Sequence, residues 1–140
     1  MSKRWIAIMM VVLLALTGTA AAQTEGGNIV LPQYTHIARI NKSFDVQDGK
    51  AQCYASGRSR YADTTTTIRV TLQRRAANET AWRYVCSWSD TQKGKAIAEV
   101  DAEKTVAQGY DYRIYIKCTI RDSEGGIKET GSTYSNIVTY

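Results

Sequence analysis

Val106-Ala107-Gln108-Gly109-Tyr110-Asp111-Tyr112-Arg113-Ile114-Tyr115-Ile116-Lys117-Cys118-Thr119-Ile120 decides the fold class. From Tyr112 onward the stretch alternates. Tyr112, Ile114, Ile116, Cys118 and Ile120 share one side, and Arg113, Tyr115, Lys117 and Thr119 the other. Strand side chains point to opposite faces with period two, so this is a half-buried strand with a defined core side. Val106 to Gly109 reads as the turn leading into it. A Tyr just inside a strand after such a turn is the pattern of the corner tyrosine of β-sandwiches, whose hydroxyl bonds back to upstream backbone. Tyr112 has the inward parity for that role. Tyr110 lies in the turn, and Tyr115 has the outward parity.

Outward from this strand, the chain supplies others. Tyr34 to Gln47 carries Ile37, Ile40, Phe44 and Val46, but only its second half alternates, which predicts a kinked first strand. Asp48-Gly49 is a strong hairpin signal. Ala51, Cys53, Ala55 and Gly57 then form a small-residue face on a second strand. Thr64 to Arg74 is a third, with Ile68, Val70 and Leu72 inward and Arg69 outward. Ala81 to Ser89 is a fourth with broken parity: Val85 interrupts Trp82, Tyr84, Cys86 and Trp88, which a bulge or an exposed edge explains. Lys95 to Thr105 alternates Ala96, Ala98, Val100 and Ala102 with Ile97, Glu99, Asp101 and Glu103. Its Ala, Glu and Lys content suits a helix as well; a strand completes a sandwich. Ile127 to Tyr140 makes the last strand, expected to be irregular around Gly131. Seven short strands with turn signals between them predict an all-β, seven-stranded antiparallel β-sandwich with Greek-key connections. Its expected core is Phe44, Val46, Cys53, Ile68, Val70, Leu72, Trp82, Val100, Tyr112, Ile114, Ile116 and Val138.

Residues 1–22 are set apart. Lys3 and Arg4, an apolar run from Ile6 to Leu16, and Ala20-Ala21-Ala22 read as a secretory signal peptide. The apolar run is short for a membrane span. No Cys sits at the cleavage site, which speaks against a lipid anchor, and Leu31-Pro32-Gln33-Tyr34-Thr35 has no hydrophobic tail to make it a sortase signal. Residues 23–30 read as a flexible leader and 31–140 as the sandwich domain. Taking Lys3 and Arg4 from the 18 basic residues leaves a net charge of +3 against the 13 acidic ones (18 − 2 − 13). That is too weak to call a nucleic-acid partner.

The spread residues Asp48-Gly49-Lys50-Ala51-Gln52-Cys53, Thr71-Leu72-Gln73-Arg74, Trp82, Trp88-Ser89, Gly109-Tyr110-Asp111-Tyr112-Arg113 and Tyr134-Ser135 carry a resemblance. The mature chain resembles a family of small secreted proteins of Gram-positive, mostly clostridial, bacteria. The stretches Val106 to Ile114 and Tyr134 to Val138 resemble the sixth and last strands of fibronectin type III (immunoglobulin-like) domains. The resemblance implies a secreted, extracellular location and the sandwich fold. The family carries no assigned biochemical function, so no site follows from it.

Chemistry is sparse. His36 is the one histidine, and no motif places Ser43 or an Asp beside it, so an enzyme is not expected. Glu99, Asp101 and Glu103 read as a solvated strand face, not a glycosidase pair. Asn41-Lys42-Ser43 and Asn78-Glu79-Thr80 match the glycosylation pattern, unused in a bacterial host. Cys53, Cys86 and Cys118 are too few and too widely spaced for a zinc site. No cofactor is implied. A Cys53–Cys118 bridge is not expected, because Cys53 should sit level with Ile114, and Cys86 level with Cys118 is separated from it by the third strand.

The surface worth weighing is the outward side of the central sheet, where Arg69, Arg113, Tyr115, Lys117 and also Arg83 should gather. Cations around an aromatic suit an anionic cell-wall polymer, an acidic glycan or a protein outside the cell. The expectation is a monomeric, secreted, non-catalytic binding or surface module, with no nucleic acid and no membrane after signal cleavage. The alternatives are a structural protein without a discrete ligand and, last, a small secreted hydrolase. Tyr112, Trp82, Cys53 and Cys118 are expected to be structural.

Overall fold

The computed structural model describes residues 34–140; the expected signal peptide and leader lie outside the described residues. The strands are β1 (Ile37–Gln47), β2 (Lys50–Ser59), β3 (Thr65–Ala76), β4 (Arg83–Lys93), β5 (Ala98–Thr105), β6 (Tyr110–Arg121), β7 (Ile127–Tyr134) and the two-residue β8 (Val138–Thr139). They form two antiparallel sheets. One has the order β1-β2-β5; the other has β4-β3-β6-β7, with β8 also paired to β6. This is the all-β sandwich that the alternation implies. The Lys95–Thr105 segment resolves as a strand, with Ala98 and Val100 buried against the core and Glu99, Asp101 and Glu103 exposed.

Local chemistry sets the connections. Asp48 and Gly49 both have positive φ, 53° and 75°, the geometry of a two-residue hairpin whose twist matches its strands. The β3–β4 ladder slips at one point: Leu72 faces Cys86 but Gln73 faces Tyr84, so Val85 is the extra residue of a bulge. This accounts for the broken parity of that strand, which is also a sheet edge.

The core joins Ile37, Phe44, Ile68, Val70, Leu72, Val100, Tyr112, Ile114, Ile116 and Ile120 with small residues Ala51, Cys53, Ala55, Ala98 and Cys118. The small face of β2 lets the sheets approach: a Cβ on Gly57 would lie 3.1 Å from both Cys118 Sγ and Ile68 Cδ1. Cys53 is four residues from Gly57 on β2, or about 13 Å along the strand at an ordinary rise. That offset separates it from Cys118. All three cysteines are free thiols. Burial above all, then the Cys86 thiol, pushes Cys53 up to about 12; burial, then the Glu129 carboxylate, pushes Cys118 up to about 11.

Several expectations are corrected. Trp82 is not in the core; it precedes β4 and lies under two guanidinium groups. Val46 and Val138 are only half-buried. Cys86 stands level with Leu72, and Leu72 with Ile114, whereas Cys118 stands level with Ile68. The irregular point of the last strand is not Gly131, which pairs regularly with Cys118. Gly131 leaves room for Tyr34: a Cβ there would lie 2.7 Å from the Tyr34 ring. The ladder is irregular at Lys128, the extra residue between Glu129 opposite Ile120 and Ile127 opposite Arg121, and it ends after Tyr134, where Ser135 Oγ accepts the Ile114 N–H at 2.9 Å in place of a backbone carbonyl.

Tyr112 is fully buried, and its hydroxyl donates to the Ala107 carbonyl at 2.6 Å, five residues upstream. This is the corner read from the sequence. Tyr112→Phe is expected to cost about 0.5–1.5 kcal/mol in urea unfolding, the net worth of one such bond. Unchanged stability would remove the corner as a fastener.

Candidate functional site

The outer face of the five-stranded sheet is built mainly from alternate residues of β3, β4, β6 and β7. Their registers lay it out in rows. Ser89, Arg69, Lys117 and Ser132 form one row, and Ser87, Thr71, Tyr115 and Tyr134 the next. Gln73 and Arg113 follow, then Arg75 and Asp111. On the other side lies a row of threonines: Thr91, Thr67, Thr119 and Thr130. Asp111 is the one carboxylate in these rows. It is held by Arg75 Nε at 3.2 Å and by the Thr139 hydroxyl at 2.6 Å, and the two bonds, Thr139 first, keep its pKa below the usual carboxylate value.

The four candidate residues separate into two kinds. Arg69 and Lys117 face each other directly across β3 and β6, and both are exposed. Arg69 Nη2 donates to Ser87 Oγ at 3.0 Å. Like charges directly opposed on neighbouring strands repel, and no carboxylate in their row relieves them. Arg113 and Tyr115 are half-buried and already engaged. The Arg113 guanidinium lies between Trp82, 4.1 Å from the ring centre, and Tyr134, 4.0 Å away. Its Nε donates to Gln73 Oε1 at 2.8 Å. Burial, then the neighbouring Arg75, lowers its pKa. Arg75 covers the same Trp82 at 4.6 Å, and Tyr115 packs on Tyr134 with ring centres 5.0 Å apart. A continuous stack results: Arg75, Trp82, Arg113, Tyr134, Tyr115. Each cation–ring contact is worth about 0.5–1 kcal/mol where exposed and more where dry.

Arg83, expected beside these residues, is elsewhere. It opposes Arg74 near the β3–β4 turn and pairs with Glu79 at 3.2 Å. Trp82 and Tyr134 were missed as members of the stack. Each lies at an element end where parity gives no direction, and the signal available was only the Arg and aromatic content around them.

The outer face of the three-stranded sheet is acidic only across its middle, with exposed Lys50 at one end and exposed Arg39 and Arg58 at the other. Its middle rows hold Asp45 with Gln52 and Glu103, Ser43 with Tyr54 and Asp101, and Asn41 with Ser56 and Glu99, and no cation. His36 sits at one end of the sandwich, its Nδ1 3.0 Å from Thr35 Oγ1 and its ring against Tyr61. It shares a cleft of about 160 Å³ with Asp63, Thr64, Asp122 and Lys128. The Thr64 hydroxyl there is engaged with Ser59 Oγ at 2.6 Å and the Tyr61 carbonyl at 2.7 Å. Ser43 is on β1, opposite Tyr54. Among the described residues no group of three or more His, Cys, Asp or Glu side chains could hold a metal ion.

No protein-family model matches the chain, and no curated protein matches it. Solved structures resemble it distantly. The sporulation control protein Spo0M from Bacillus subtilis aligns at 13% identity and a TM-score of 0.44, over 73% of this chain and 48% of that one. The β-glucosidase from Kluyveromyces marxianus in complex with glucose aligns at 10% and 0.40, over 76% of this chain and 15% of the enzyme. The chain thus spans less than half the length of either protein.

Proposed function

We propose that this chain is a secreted, non-catalytic module of fibronectin type III-like form that holds an anionic polymer on the outer face of its five-stranded sheet. The juxtaposition of Arg69 and Lys117 carries the reading. Two exposed cations are held face to face on rigid strands, flanked by Ser87, Ser89 and Ser132 and with no carboxylate in their row. A bound anion relieves their repulsion, and the neighbouring hydroxyls can donate to its oxygens. The strand order and the Tyr112 corner support the fibronectin-like form. The basic, apolar and small-residue order of residues 1–22 supports secretion, as does the resemblance to small secreted clostridial proteins.

The test is retention on an immobilised glycerol-phosphate polymer and on a sulfated glycan. Exposed contacts contribute about 0.2–1 kcal/mol each and are screened by salt. Reversing both charges, Arg69→Glu with Lys117→Glu, should therefore weaken low-salt retention about tenfold. Retention of the double variant equal to the parent's would remove this face as the site. A second reading has its own observation. Arg113 and Tyr115 are tied into the ring–cation stack, as in a sheet face built for rigidity alone. A parent protein that binds neither polymer favours that structural role.

A further inference from the structure

Beyond the end of the stack lies a second, unassigned feature. A pocket of about 250 Å³ is lined by Arg74, Arg75, Ala76, Glu79, Arg83 and Tyr110, where the β3–β4 turn meets the start of β6. Three arginines and one carboxylate line it: Arg74 and Arg83 oppose each other across β3 and β4, and Arg75 lies on the other face of β3 with its guanidinium at Trp82.

Arg74 and Arg83 are held in ways that leave donors free. The Arg74 guanidinium lies over the Tyr110 ring, 4.4 Å from its centre, and no carboxylate pairs with it among the described residues. Arg75 is fixed by Trp82 on its face and by Asp111 at its Nε. Among the described residues its two terminal nitrogens have no other side-chain acceptor, but that guanidinium belongs to the outer-face stack, so the pocket's donors are those of Arg74 and Arg83. Arg83 reaches Glu79 through Nε and Nη2, which leaves Nη1. Stacking uses the face of a guanidinium and leaves the N–H groups in its plane, the geometry that matches phosphate and sulfate oxygens. Such stacking also restrains the side chains before any ligand arrives, which lowers the cost of binding.

We infer that this pocket is a binding site for a tetrahedral oxyanion ester, a phosphate or sulfate monoester carried on a sugar-sized group. The volume exceeds what one bare ion fills and leaves space for part of a ring. Tyr110 supplies an aromatic edge on the same wall. The site stands apart from the Arg69–Lys117 pair: Arg69 and Arg75 are six residues apart on β3, about 20 Å along the strand. It can therefore hold or fail independently of the proposed polymer face.

The experiment is titration of the full secreted chain with glucose 6-phosphate and, separately, glucose 6-sulfate, followed by NMR or calorimetry. Saturable binding of at least one ester in the millimolar range or tighter is expected, on the order of 4 kcal/mol or more. Arg74→Gln and Arg83→Gln should each weaken it about tenfold or more, a step of about 1.4 kcal/mol. Arg83 is the second variant because its side chain is 68% exposed and its loss leaves the core untouched. Arg69→Glu with Lys117→Glu should leave ester binding intact while polymer retention falls. The two esters separate the sources: the second phosphate ionisation lies near pH 6, so phosphate binding should weaken at about pH 5 while sulfate binding should not. Saturation by neither ester at about tenfold above that range, or binding unchanged in both Arg74→Gln and Arg83→Gln, overturns the assignment.

Discussion

Ile114→Ala is expected to lower the unfolding free energy by about 2–5 kcal/mol, the range for truncating a fully buried aliphatic side chain. Ile114 is 0% exposed and pairs with Leu72 at the centre of the five-stranded sheet. Sequence dictates its position, two residues past the corner Tyr112 on the inward side of β6. The site has little means to collapse, because strands on both sides hold the β6 backbone and Ser135 Oγ ties down the Ile114 N–H. The cavity therefore persists and adds to the lost transfer energy. Domains of this size have about 5–15 kcal/mol in all, so the loss is a large fraction. Urea unfolding followed by tryptophan fluorescence should show a lower midpoint with an unchanged slope. A loss below about 1 kcal/mol would mean that the two sheets are not packed through this residue.

Glu129→Gln is the next largest expected effect, and it depends on pH. Glu129 on β7 accepts the backbone N–H groups of Thr35, His36 and Ile37 at 2.9, 3.0 and 2.8 Å, and the Thr35 hydroxyl at 2.8 Å. It joins the start of β1 to an edge of the other sheet. Burial works against the charge, but the donors of Ile37, Thr35 and His36 more than offset it and hold the carboxyl at about 2. An unfolded Glu titrates near 4.3. The folded pKa is the lower one, so its contribution is fully present above about pH 4.5, falls with falling pH, and is gone below about pH 2. Hydrogen bonds to charged groups contribute about 1.5–3 kcal/mol. Solvent screening at this half-exposed carboxylate puts the expected loss near the lower end, about 2 kcal/mol at neutral pH. Stability measured from about pH 2 to 7 should show parent and variant converging at the acid end. A constant difference across that range would assign the effect to packing instead of charge.

Much of this architecture is legible in the residues because its strands are amphipathic. The alternation of Tyr112 to Ile120 and of Ile68 to Leu72 fixes which side faces inward, and so places Arg69 and Lys117 outside before any coordinates. Asp48-Gly49 marks its turn because few residue pairs tolerate two positive φ angles. Three things were not legible. The height of Cys86 depends on the wide β3–β4 turn and on the bulge at Val85, which alternation cannot measure. Trp82 looks like core by its apolar character, but an indole also serves as a platform for guanidinium groups, and the choice is made by Arg75 and Arg113 on other strands. Glu129 acts on backbone about 92 residues away in sequence, a separation that carries no local pattern.

The acidic middle of one outer face and the basic rows of the other give the described domain a transverse dipole. Carboxylates Asp45, Glu99, Asp101 and Glu103 lie on one side, with Arg69 and Lys117 on the other, across the thickness of the sandwich. Near an anionic surface such a particle feels a torque before it touches, because the near face is attracted and the far face repelled. It arrives basic side down. A layer of bound molecules then shows carboxylates to the medium, so the coated surface keeps the sign of the bare one. Further copies would meet the same negative charge and turn their basic faces to it, so charge alone sets the orientation of a layer and not its thickness.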